Sequence, residues 1–112
     1  MQKNDFNKII ITGYANSVPR LNSTFNGTPV LNFELRCNSR KRSEIFDITV
    51  WGDLAKTASE LIFPNEKLLI EGHVQHKLFG DNKEPLGCGI ELVARRIYSV
   101  GNDFNLCEFT GS

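Results

Sequence analysis

The sequence predicts an all-β domain, a closed barrel of five strands with one helix between the third and fourth. Three observations carry that expectation. Successive stretches alternate apolar and polar residues with the period of a strand; one stretch, "GDLAKTASELIF", changes to helical spacing; and Gly13 and Gly72 stand inside long strands, where a strand bends. At 112 residues the chain is long enough for one hydrophobic core and too short for two.

Each element follows in order. "NKIIITGYANSVP" opens on β-branched residues, bends at Gly13 and ends at Pro19. "STFNGTP" supplies an Asn26-Gly27 turn, after which Leu31, Phe33, Leu35 and Cys37 share one side of a strand and Asn32, Glu34 and Arg36 the other. Beyond a basic loop, "EIFDITVW" puts Phe46, Ile48 and Val50 on the apolar face and Ile45, Asp47, Thr49 and Trp51 on the polar one. In the helix Leu54, Ala58, Leu61 and Ile62 recur on one side, with Asp53 as the expected N-cap and Pro64 as the stop. "EKLLIEGHVQHKLF" returns to period two: Leu68, Ile70, Val74 and Leu78 face one way, Glu71, His73, Gln75, Lys77 and Phe79 the other. "GDNKEPLG" is a turn, and "CGIELVARRIYSV" is the last strand, with Ile90, Leu92 and Ala94 expected inward. Three strands, a helix and two strands fit a Greek-key barrel of the OB type. A β-sandwich or a β-grasp-like α+β domain is the alternative, because alternation does not separate closure from stacking.

Thirteen Lys and Arg balance thirteen Asp and Glu, so no global field draws in nucleic acid or an anionic membrane, and any such attraction is local. Cys37, Cys88 and Cys107 have no zinc-ligand spacing and read as reduced thiols of an intracellular compartment, cytoplasmic or organellar. No apolar run approaches the roughly 20 residues of a spanning helix. Residues 1–6 read as a flexible N-terminus, 7–101 as the barrel domain and 102–112 as a short tail without an acidic tip.

Trp51 and Phe79 are the sharpest candidates for function, since large aromatics on the polar face of a strand stay exposed unless something stacks on them. The stretch "RCNSRKRS" sets Arg36, Arg40, Lys41 and Arg42 within eight residues with no acid among them. Basic residues beside aromatic platforms are the equipment of single-strand binders, with Arg40, Lys41 and Arg42 as phosphate contacts and Arg36 and Lys77 as weaker ones. A charge run alone equally describes a solvated hairpin tip. His73 and His76, three apart on a strand, point to opposite faces and do not share a metal ion. Asp47 and Glu71 lack a histidine, a nucleophile or a phosphate cradle beside them, and "GCG" at Gly87 to Gly89 is too short for a dinucleotide fingerprint. No catalytic set, metal site or cofactor site is expected.

Taken together, "NKIIITG", "NGTPVLNFEL", "ITVWGDLAKTASE", "LLIEGHVQHKLF" and "IELVAR" resemble, in order and spacing, the bacterial single-stranded DNA-binding protein family. The resemblance covers about residues 7–101. It implies an OB barrel that binds single-stranded DNA, or RNA, with little sequence preference, without catalysis, in replication, recombination or repair. It places Trp51 on the family's stacking aromatic at the end of strand 3 and Phe79 on the one that follows strand 4. The two other family aromatics fall where this chain has basic residues near Lys41 and the aliphatic Ile45, which implies a shift from stacking toward salt-sensitive phosphate contact. Homo-oligomers, dimers or tetramers, are implied through the apolar first strand. The tail resembles those of short relatives, the primosomal replication protein N group and plastid single-strand-binding-like proteins. The alternative is a protein-interaction module or replication-restart accessory, a barrel that has lost half its stacking surface, with Ile45 and Leu69 as mild examples of apolar residues turned outward.

Overall fold

The computed structural model describes residues 5–76, 89–101 and 106–109. Their elements run β1 (Ile9–Ala15), β2 (Arg20–Ser23), β3 (Pro29–Asn38), β4 (Ser43–Trp51), α1 (Asp53–Leu61), β5 (Lys67–His76), β6 (Ile90–Val100) and β7 (Leu106–Glu108). Five of these strands close a ring. β1 pairs with β3, β3 with β4, β4 with β6, β6 with β5, and β5 returns to β1; every contact is antiparallel except β4 with β6. Closure decides between barrel and sandwich, and the fold is the OB barrel. β1 reaches two neighbours because it changes partner one residue past Gly13: Ile9 to Tyr14 lie against β5, while Tyr14 and Ala15 lie against β3.

The inward positions of the alternating strands form the core: Leu31, Leu35, Ile48, Val50, Leu68, Ile70 and Ile97 are all fully buried. Each such side chain contributes roughly 1.5–3 kcal/mol relative to exposure, which selects this strand phase over its one-residue slip. The helix closes one end of the barrel with Ala55 and Ala58, and Ile62 follows them into the core.

Several local expectations differ. Asp53 is not the N-cap. Gly52 holds that position and no side chain caps the helix, so Asp53 is the first helical residue, where its charge suits the helix N-terminus. Leu61 is exposed, because the buried stripe runs through Ala55, Ala58 and Ile62. Ile90 is 61% exposed and not inward. It pairs with His76 at the outer end of the β5–β6 ladder, past the core. β2 is exposed along its whole length and carries no alternation, yet it forms the first arm of the Asn26-Gly27 hairpin by pairing with β3. Within the segment read as a tail, β7 pairs with β6, and Phe109 is buried in the core after its N–H donates to Ile97 O at 2.8 Å.

The most consequential irregularity is a bulge in β6. Glu71 pairs with Arg96 but the next residue, Gly72, pairs with Ala94, which leaves Arg95 as the extra residue. A Cβ on Gly72 would lie 1.8 Å from Val93 O, so only glycine permits this approach. Without the bulge, strict alternation from Leu92 and Ala94 would send Arg96 into the core and Ile97 out. With it, both arginines are exposed and Ile97 is fully buried.

Candidate nucleic-acid interface

The outward residues of β3, β4, β6 and β5 are organised by one row of hydrogen bonds. Asn32 Nδ2 donates to Thr49 Oγ1 at 3.0 Å, Thr49 Oγ1 donates to Glu91 Oε1 at 2.9 Å, and Gln75 Nε2 donates to Glu91 Oε2 at 2.8 Å. Thr49 is outward in phase yet only 2% exposed, because Asn32 and Glu91 close over it from the neighbouring strands. Both oxygens of the buried Glu91 carboxylate accept a hydrogen bond, which offsets part of its desolvation. The row holds four strands in a fixed lateral order and gives the outer face a rigid polar surface.

Trp51 ends β4 at the margin of that surface and is 44% exposed. Its place is set by the next residue. The Gly52 N–H donates to Pro29 O at 2.9 Å, and its φ of 73° turns the chain into α1. That left-handed backbone would cost a residue with a Cβ about 1–2 kcal/mol. The indole borders a hollow of about 440 Å³ with Leu54, His73, Gln75, Val93 and Arg95. A second hollow, of about 330 Å³, shares His73 and Arg95 and continues along Phe6, Lys8, Glu71 and Arg96. Asn7 ties this N-terminal stretch to β5: its Nδ2 donates to Val74 O at 2.8 Å, and its Oδ1 accepts from Val74 N–H at 3.0 Å. One exposed ring therefore leads onto a track carrying Arg95, Arg96 and Lys8.

Arg95 and Arg96 were not among the residues singled out from sequence. The signal was present in "ARRIYS", where alternation fails unless one residue is bulged. Arg96 is the more anchored of the two: a hydrogen bond with Tyr98, then the charges of Tyr98, Glu108 and Glu71, push its pKa above the ordinary arginine value.

The basic hairpin lies elsewhere. Ser39 N–H and Oγ both donate to Arg42 O, at 2.8 and 2.9 Å, and close the turn that carries the exposed Arg40 and Lys41. Arg42 is partly engaged, its guanidinium 3.0 Å from Glu44 Oε2. Arg36 is half-buried, stacked over the Tyr14 ring at 5.4 Å to the centroid, with Lys67 at 5.6 Å. The turn and Trp51 sit at opposite ends of β4, separated by roughly 26 Å at ~3.3 Å per residue. The fold thus separates Arg40, Lys41 and Arg42 from Trp51 and gathers Arg95 and His73 beside it. Phe79 and Lys77 lie outside the described residues, as does Cys88. Cys37 and Cys107 are free thiols. Among the described residues no group of three or more His, Cys, Asp or Glu side chains is placed to hold a metal ion, and no helix is long and apolar enough to cross a membrane.

A five-strand ring closed through a parallel β4–β6 contact, with a helix at its end and an exposed aromatic beside arginines on its outer face, defines an OB-fold binding domain. Residues 6–100 match the model of the single-strand binding protein family, and the chain belongs to that family. It is 30% identical over 86 residues to single-stranded DNA-binding protein 1 of Chlorobaculum tepidum, an alignment covering 69% of this chain and 53% of that protein. With single-stranded DNA-binding protein 2 of the same organism it shares 26% identity over 103 residues, covering 83% of this chain and 70% of the relative. The chain thus spans about half the length of the first relative. Among solved structures, a deletion variant of the single-stranded DNA binding protein from Thermus aquaticus superposes with a TM-score of 0.73 at 26% identity, over 89% of this chain and 43% of that one.

Proposed function

We propose that this protein binds single-stranded DNA without catalysis and with Trp51 as the central stacking platform. The observation that carries the reading is the exposed indole opening onto a hollow it shares with Arg95. A base stacked there contributes ~1–3 kcal/mol, and the neighbouring phosphates meet Arg95, Arg96 and Lys8. Phe79 is a second platform. Arg40, Lys41 and Arg42 grip the backbone at the far end of β4, with Arg36 and Lys77 as lesser contacts. A strand long enough to engage both ends crosses the polar row between them.

The same reading makes the protein a homo-oligomer, dimer or tetramer, since Ile10 leaves an apolar side chain 58% exposed on β1. It assigns the protein to DNA replication, recombination or repair, in the cytoplasm or an organelle.

Trp51 is the only tryptophan, so its fluorescence reports its own contact. Titration with oligo-dT at low salt should quench the emission strongly, and added salt should reverse the quenching as counterions return to the phosphates. Unchanged emission at micromolar oligonucleotide would remove Trp51 as a platform. In the same assay, read by anisotropy of a labelled strand, Trp51→Ala should lower affinity by about 5- to 150-fold, the range expected for one stacked base.

A further inference from the structure

We infer that the groove between β2, β3 and β4 reads guanine, so that this chain prefers single strands in which a guanine lies a few nucleotides from the base stacked on Trp51. The inference rests on the single-strand reading above and adds a base preference to it. The groove has a volume of about 470 Å³, and its lining includes Val18, Arg20, Asn22, Asn32, Glu34 and Asp47. That is room for a nucleotide, within the roughly 300–1,000 Å³ of small-ligand pockets.

Its chemistry is two-sided. Arg20 stands directly opposite Asn32 in the β2–β3 ladder, and Glu34 opposite Asp47 in the β3–β4 ladder, so donors and acceptors lie at adjacent positions of one face. Glu34 is bonded by Asn16 and makes no ion pair with Arg20 among the described residues. Glu34 is held from one side, its Oε1 accepting from Asn16 Nδ2 at 3.1 Å. A carboxylate has about four acceptor positions, so that bond orients the group without exhausting it. Asp47 already has a partner of its own, and Glu34 suffices as the acceptor.

A ligand matching this pair needs an acceptor edge for the guanidinium fork and a donor edge for the carboxylate. Guanine has both: O6 and N7 take arginine in a bidentate contact, while N1–H and the N2 amino group donate to a carboxylate. In a single strand its Watson–Crick edge is open to protein. Thymine offers one N–H and no such acceptor pair, and adenine and cytosine lack the carbonyl-plus-N7 edge. The exposed Val18 supplies an apolar surface for the ring. Asp47 precedes Trp51 by four residues on the same face, about 13 Å along β4, so a strand stacked on Trp51 passes the groove.

The test compares a labelled oligo-dT with the same oligomer carrying a few deoxyguanosines, or deoxyinosines that lack the N2 amino group, at fixed salt. The guanine strand should bind about tenfold more tightly than oligo-dT, within what one good bidentate contact gives, and the inosine strand should fall between them. Arg20→Lys, which keeps the charge but not the fork, and Glu34→Gln should each abolish most of the preference and leave oligo-dT affinity within twofold. Equal affinity for all three strands overturns the subsite and leaves single-strand binding standing. A loss in Arg20→Lys that is the same for every strand overturns it as well, and makes Arg20 a phosphate contact. If none of the strands binds at micromolar protein, the single-strand reading falls and the subsite with it.

Discussion

The two ends of β4 carry the two features that a single-strand binder requires, and the fold treats them differently. At the Ser43 end the charge is concentrated, exposed and partly answered by Glu44. At the Trp51 end the charge is sparser, but it is assembled: Gly52 fixes the ring, the β6 bulge delivers Arg95, and both border one hollow. Charge density in the sequence and charge placement in the fold are different quantities. The first sets how strongly a region attracts phosphates at a distance, and the second sets whether a base and its phosphate are held together.

The largest test breaks the assembled end. Gly72→Ala forces a Cβ into Val93 O, 1.8 Å away, and the bulge cannot survive it without moving backbone. We expect a loss of about 3 kcal/mol in urea unfolding, in the range of overpacked core sites. A variant within 0.5 kcal/mol of the parent, on the order of a neutral surface change, would show that the bulge does not depend on the glycine.

The second test sharpens the comparison by length. Replacing Arg40, Lys41 and Arg42 together by Ala should flatten the log–log salt slope by about 2, from roughly 0.7 per phosphate contact. It should do so only for a strand that spans the whole of β4. An oligonucleotide of about four nucleotides, the low end of site sizes for this fold, should be insensitive, and one of about sixteen should show the full effect. An equal change for both lengths would mean that the hairpin folds toward Trp51 on binding. No change for either would make it a solvated tip.

Why the barrel was legible and the site was less so follows from what each depends on. Alternation in β3, β4 and β5 reports burial directly, since a one-residue slip would exchange Leu31, Ile48 or Ile70 for polar neighbours. The helix was legible from its own local period, whereas the closure of the ring rests on pairings between distant strands. Trp51 was legible for the same reason, a large ring out of place on a polar face. Arg95 was not, because its position depends on a register shift against a different strand. The Glu91 row was missed too: Thr49 and Glu91 bond each other and take hydrogen bonds from Asn32 and Gln75 on two further strands, and no periodicity encodes those. β2 and Phe109 owe their structure to pairing with distant residues and carry no pattern of their own.

The smallest predicted effect addresses whether the hairpin's charge is available at all. Arg42 donates through its Nε to Glu44 Oε2 at 3.0 Å, with side chains 75% and 46% exposed. An exposed pair of this kind contributes only about 0–1 kcal/mol, so a phosphate competes with Glu44 for the guanidinium at little cost. Glu44→Gln removes the competitor and one negative charge from beside the strand's path. Affinity for the long oligonucleotide should rise by no more than about fivefold, the equivalent of 1 kcal/mol at a conversion of roughly 1.4 kcal/mol per tenfold. The salt slope should steepen by up to ~0.7, one further contact, and the short strand should bind as before. A long strand that binds Glu44→Gln no better than the parent, while the triple alanine variant still loses slope, would assign the contact to Arg40 and Lys41 and leave Arg42 to the turn it closes with Ser39.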